Sequence, residues 1–202
     1  MINKLLLLLL VLILTGCGGA KYNYNFDRGK KLNFSTGKWI LNKPYTNYED
    51  NDAYSIAKNE FEEILGDSLL ELVELRKTKL ISEQLPLDPI KKELKEIKEF
   101  TGCDFLINID SKVIRDEMGS FAHSSNFGTV TKYNEASTTI QIFNLNTLEL
   151  ISESTASGIV DETKTPEDDG FLENFDYTTP GRILALKTIK KLIRKYGKYQ
   201  EE

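Results

Sequence analysis

The stretch Phe100–Asp110, FTGCDFLINID, decides how the chain folds, because it joins two periodicities through one glycine. Upstream, LDPIKKELKEIKEF carries Ile90, Leu94 and Ile97 at three- and four-residue steps, the spacing of one helix face. Asp88 offers a cap to that helix and Pro89 suits its first position. Gly102 comes just after the last apolar residue, Phe100, where a left-handed residue is wanted and glycine adopts it without strain. Downstream, DFLINIDSKVI alternates, placing Phe105, Ile107 and Ile109 on one face of a strand. Thr101-Gly102-Cys103 therefore predicts a helix stop feeding a strand, with Cys103 as a small buried filler.

Working outward, GKWILNKP (37–44) is a short strand signal closed by Pro44, which cannot donate to a ladder. DNDAYSIAKNEFEEILGDSLLELVEL predicts a helix capped by Asp50, Asn51 or Asp52. Ala57, Phe61, Ile64, Leu65, Leu69 and Leu72 form its stripe, and Gly66 is a weak point within it. KTKLISEQLP predicts a short second strand. Arg115–Ala136 is expected to be a polar loop or a long hairpin tip. STTIQIFNLNTLELISESTASGIV then predicts two strands in an antiparallel hairpin turning at Asn144-Leu145-Asn146-Thr147. After an acidic loop, RILALKTIKKLIRKYGKY is an amphipathic helix with Ile183, Leu186, Ile189, Leu192, Ile193 and Tyr196 on its apolar side. The order β-α-(β)-α-β-β-β-α places the chain in the α+β class: one domain over 37–199, a mixed sheet with two or three packed helices.

Thr-Gly-Cys occurs a second time, at the start of the chain. Lys4 precedes an apolar run of ten residues, Leu5 to Leu14. As a helix it is about 15 Å long, half of a ~30 Å hydrocarbon core, and its layout is that of a secretory signal peptide. Leu14-Thr15-Gly16-Cys17 resembles the lipobox of bacterial lipoproteins. The resemblance implies that residues 1–16 are a leader and that Cys17 is acylated and becomes the first mature residue. Gly18 stands where enterobacterial lipoproteins retained at the inner membrane carry aspartate. The implied address is the outer membrane, facing the periplasm. Residues 17–36 are then expected to be the lipidated cysteine and a flexible tether, made basic by Lys21, Arg28, Lys30 and Lys31 and reaching at most ~60 Å. Tyr22, Tyr24 and Phe26 alternate, which equally fits a first edge strand. Acylation of Cys17 leaves Cys103 as the remaining thiol, so stability must come from a packed core.

The helix ending in Thr101-Gly102-Cys103-Asp104, the strands FLINI and TIQIFNL, the segment ELISESTASG and the closing helix together resemble a known domain. It is the small α/β domain of the curli-secretion lipoprotein, of the lipoprotein activators of peptidoglycan synthases, and of the amino-terminal part of the Tol-system propeller protein. Those families show Thr-Gly-Ala-Asp at the first site. They show Asp-x-x-Thr-Gly-Glu where this chain has Asn144-Leu145-Asn146-Thr147-Leu148-Glu149. The resemblance implies a non-enzymatic envelope module that docks on an envelope protein or a cell-wall partner. A subunit of a secretion pore is the alternative it allows. That role needs strands of about 10 residues alternating apolar and polar, and neither candidate insertion, 115–136 or 161–181, reads as two such strands.

Composition and chemistry narrow the function further. The charge sum, 26 minus 31 or −5, argues against a nucleic-acid partner. The single histidine, His123, lies among Ser120, Ser124 and Ser125 on a Gly- and Ser-rich loop. A hydrolase built there would lack pre-organisation, so a solvent-exposed loop residue is expected. The acids Asp161, Glu162, Glu167, Asp168, Asp169, Glu173 and Asp176 lack the spacing of a calcium loop and read as solvated. No catalytic constellation, metal site or cofactor motif is expected. The candidate surface is the last helix, whose Lys187, Lys190, Lys191, Arg194 and Lys195 suit anionic lipid or an acidic partner. The same cations also suit the helix dipole, with the apolar face given to the core.

Overall fold

The computed structural model describes residues 20–27, 32–49, 52–77, 81–117, 130–164 and 179–199. Seven strands form one mixed sheet: β1 (Lys21–Asn25), β2 (Trp39–Leu41), β3 (Tyr45–Thr46), β4 (Leu69–Glu71), β5 (Phe105–Asp116), β6 (Val130–Asn144) and β7 (Glu149–Lys164). Their order is β1-β7-β6-β5-β2-β4, with β3 pairing β5 beyond the end of β2. The β1, β7, β6 and β5 neighbours are antiparallel; β2 pairs in parallel with both β5 and β4. Among the described residues four α-helices accompany the sheet: α1 (Ala53–Leu65), α2 (Leu72–Arg76), α3 (Lys91–Thr101) and α4 (Gly181–Lys198). The α+β class stands, with four helices where two or three were expected.

The period of two along the strands builds two cores. Trp39, Leu41, Ile107, Ile109, Ile140 and Ile142 face one side, where Ala57 and Phe61 of α1 and Ile189, Leu192, Ile193 and Tyr196 of α4 cover them. Ile40, Leu106 and Phe143 face the other side and meet Leu72 of α2, Leu94 and Ile97 of α3, Leu85 and Cys103. The β2–β5 centre is thus buried on both faces, as parallel strands require.

Thr101-Gly102-Cys103 behaves as its sequence predicts. Gly102 takes φ +72° and its N–H donates to the Lys98 carbonyl at 2.8 Å, closing α3. Cys103 is fully buried. Asp104 then ties three segments together. Its carboxylate accepts from the Lys38 N–H at 2.9 Å, the Lys98 Nζ at 2.7 Å and the Asn146 Nδ2 at 3.1 Å. Those hydrogen bonds, from Lys98 first, hold its carboxyl down at about 2.

Four expectations are corrected. The first helix does not run on to Leu72: it ends at Leu65, Gly66 adopts φ +52°, and Leu69–Glu71 becomes β4. The reason lies in β2, whose buried outer edge needs backbone partners that β4 supplies. The strand expected in KTKLISEQLP is absent over its described residues, 81–86. Side-chain amides take the ladder's place: Asn42 exchanges hydrogen bonds of 2.8 Å with the Leu85 N–H and carbonyl, and Asn108 donates to the carbonyls of Pro86 and Leu87. The α3 helix starts at Lys91, because the Glu93 carboxylate accepts the Ile90 N–H at 2.8 Å while Asp88 accepts from Gln141. Finally, the acidic loop shrinks, since β7 continues to Lys164. Of the two readings of 115–136, the long hairpin is the one its described residues fit: β5 reaches Asp116 and β6 begins at Val130, paired antiparallel. Residues 118–129, with His123, lie outside the described part.

The tether also gives way. Of the two readings of residues 21–26, the edge strand is the one found: Lys21–Asn25 pairs with Thr155–Ile159 of β7. Leu32 and Phe34, within the expected tether, are buried in the core.

Candidate functional site

The site grows from two rows of cations on α4. Residues four apart on a helix stack along one side, so Lys187, Lys191 and Lys195 form one row and Lys190 and Arg194 another. The apolar stripe between them, Leu184, Ile189, Leu192, Ile193 and Tyr196, is buried on the sheet. Each row therefore emerges along one flank of the helix.

On one flank stands Glu60 of α1, a carboxylate with only 5% of its side chain exposed. Lys190 Nζ approaches its Oε1 at 2.7 Å, and Arg194 Nε its Oε2 at 2.7 Å. Burial pushes the Glu60 carboxyl up, but hydrogen bonds and charge from Arg194 and Lys190 outweigh it, and the carboxyl ends below its usual range. The Arg194 guanidinium is raised in turn by the same carboxylate. These two cations bind α4 to α1.

On the other flank lies β1. Its inward residues Tyr22 and Tyr24, with Phe26 just past its end, are the alternating aromatics of the sequence, and Ala20 and Tyr22 pack beside Leu184 and Ala185. Lys191 Nζ sits 4.6 Å from the centre of the Tyr22 ring and Lys195 Nζ 4.1 Å from that of Tyr24. Such contacts contribute about 0.5–1 kcal/mol each at exposed sites. Phe26 meets Tyr196 edge-on with centroids 5.0 Å apart. Burial raises both tyrosine hydroxyls, so both rings stay neutral beneath their cations.

Of the five candidate cations, four are thus engaged inside the molecule, and Lys187, exposed, is the one with neither an ion pair nor a ring contact among the described residues. Lys191 stands over Tyr22 and Lys195 over Tyr24, so helix and strand run in the same direction. Lys187, one turn earlier, falls at the level of Ala20, where the chain comes in from Cys17. Glu60 and the three aromatics are the residues that sequence reasoning left out of the site. The one available signal was the match between the two-residue alternation of 22–26 and the four-residue row on α4. Leu14, Thr15, Gly16 and Cys17 lie outside the described residues, as do the acids at 167–176.

Among the described residues no three His, Cys, Asp or Glu side chains are grouped as a metal ion would need, and no helix is long and apolar enough to cross a membrane. Burial raises the Cys103 thiol, which opposes its use as a nucleophile.

No family model matches the chain, and no curated relative matches it. Among solved structures the chain is similar to the PelC dodecamer from Paraburkholderia phytofirmans, with 13% identity, a TM-score of 0.45, and coverage of 91% of this chain and 100% of that one. It is similar to lipoprotein GNA1162 from Neisseria meningitidis, with 11% identity, a TM-score of 0.39, and coverage of 67% and 89%. It is also similar to the LpoB C-terminal domain from Escherichia coli, with 12% identity, a TM-score of 0.38, and coverage of 60% and 81%.

Proposed function

We propose that this protein is a lipid-anchored cell-envelope protein whose α+β domain is a non-enzymatic docking module held close against the membrane. It binds an envelope protein or a cell-wall partner from the periplasmic side of the outer membrane. The observation that carries this reading is the adjacency of Cys17 to β1. Three residues, Gly18 to Ala20, separate the lipobox cysteine from Lys21, the first residue of a strand hydrogen-bonded into the sheet and covered by α4. The four residue steps from Cys17 to Lys21 span at most about 14 Å. Acyl chains on Cys17 therefore place the Ala20 end of the domain at the headgroups. Lys187 and Lys21 are exposed at that end, and a cation near an anionic surface contributes about 1 kcal/mol. Two or more acyl chains give stable attachment where one would not.

The test is fractionation of cells expressing the full chain and its Cys17→Ala variant. The expected result is that the first sediments with membranes and the second is released. Equal distribution of both removes the anchor from the account. Crosslinking in cells through a photoreactive residue at position 187 is expected to capture lipid, and through one at the exposed Lys112 of β5 an envelope neighbour.

A further inference from the structure

A cavity of about 200 Å³ opens between the first turn of α1, helix α2 and the segment 81–86, lined by Lys43, Tyr54, Leu72, Val73, Arg76 and Glu83. Two observations set its chemistry. Its walls are apolar where Leu72, Val73 and the Tyr54 ring form them, and Val73 is 53% exposed. Its rim is cationic: Lys43 and Arg76 against Glu83 leave one net positive charge, in a chain whose overall charge is −5. Lys43 is already paired with Glu83 at 2.8 Å, whereas the Arg76 guanidinium has no hydrogen bond or ion pair among the described residues.

We propose that this cavity binds the carboxylate of an apolar amino acid, either free or at the C-terminus of a peptide. The planar fork of Arg76 matches a carboxylate bidentately. The single net charge selects a monoanion, since a phosphate dianion would be repelled by Glu83. Leu72, Val73 and the Tyr54 ring take an aliphatic side chain. The volume is below the roughly 300–1,000 Å³ of pockets for drug-sized ligands, which limits the occupant to about one residue.

The probes are N-acetyl-leucine, its amide, and a tetrapeptide ending in leucine with a free or an amidated C-terminus, titrated into the mature chain by calorimetry. About 12 non-hydrogen atoms at ordinary ligand efficiency give N-acetyl-leucine a Kd on the order of 1 mM. Both amides are expected to bind at least ~10-fold more weakly, the difference a lost charge-assisted pair makes. Arg76→Gln is expected to abolish the distinction between acid and amide. Tighter binding of the peptide acid than of N-acetyl-leucine assigns a protein terminus, and equal binding a free amino acid; both support the site. Acid and amide binding alike, or no heat from any probe at several times the expected Kd, would each overturn it. The Cys17→Ala chain must bind as the parent does, so loss of the anchor and loss of this site register separately.

Discussion

Replacing Asp104 with asparagine should destabilise the fold at neutral pH and cease to do so in acid. The carboxylate receives the Lys38 N–H, the Lys98 ammonium and the Asn146 amide, and its carboxyl is held at about 2 against an ordinary 3.8. A depression of that size corresponds to about 2.4 kcal/mol if fully expressed. With 30% of the Asp104 side chain exposed, solvent screening reduces this to about 1.2 kcal/mol. A group whose folded value is depressed stabilises above its unfolded value and loses that contribution as the pH falls through the folded one. Near pH 3, between the two values, about half should remain, and close to pH 2 about a sixth. Trp39, the only tryptophan and fully buried against Phe105, reports unfolding by fluorescence. Urea titrations of wild type and Asp104→Asn at pH 7, 5, 3 and 2.5 give the difference directly. A gap below about 0.3 kcal/mol at pH 7, or one that stays constant down to pH 2.5, would refute the assignment of Asp104 as the electrostatic tie between β2, α3 and the β6–β7 turn.

Three further outcomes follow from local geometry. Gly158→Ala should cost about 1–3 kcal/mol in the same urea assay, because a Cβ there would stand 2.9 Å from Leu184 Cδ1 and 3.0 Å from Thr188 Cγ2, under α4. Leu148 sits at φ +58° in the β6–β7 turn, so Leu148→Gly should fall within about 0.5 kcal/mol of wild type, the relieved strain offsetting the lost apolar contact. Leu148→Val should cost more than ~1 kcal/mol, since a β-branched residue resists that backbone. Cys103, buried and with its thiol raised by that burial, should resist a thiol-specific reagent at pH 8 in the folded Cys17→Ala chain and react fully in urea. Rapid labelling of the folded chain would show the junction to be open.

What the sequence made legible was whatever a single element could state by itself. Gly102 after Phe100 announces a helix end whatever surrounds it, and the alternation in TIQIFNL survives because one of its faces is core. The hairpin turn is similar. Asn144 stands where the resembled families carry aspartate, and its Oδ1 still accepts the N–H groups of Asn146 and Thr147. What stayed hidden was decided between elements. Leu69–Glu71 has helical spacing and only three residues as a strand; the unpaired edge of β2, nearly thirty residues earlier, makes it β4. Residues 81–86 look extended but bend at Glu83 and Gln84, and two asparagine side chains hold them in place of a neighbouring backbone. The basic helix was legible as basic, while the partners of its charges, Glu60 and the tyrosines of β1, lie more than a hundred residues away in sequence.

Under the proposed anchoring at Cys17, that last pairing sets how far the domain would work from the membrane. A flexible 17–36 segment would have let the domain roam to ~60 Å. With β1 docked, the proposed acyl chains would leave about four residue steps of slack, or ~14 Å. A domain of about 180 residues is roughly 40 Å across, so its farthest surface stands no more than about 55 Å from the headgroups. The cations of α4 enforce this indirectly. Lys191 and Lys195 over Tyr22 and Tyr24 resist peeling of the strand that would lengthen the tether. Replacing both with glutamine should release β1 without unfolding the core, seen as faster amide exchange at Tyr22–Asn25 than at Ile107 or Ile140. If exchange in β1 is unchanged, aromatic burial and the β7 ladder hold the strand by themselves, and the basic row is left available for an outside partner.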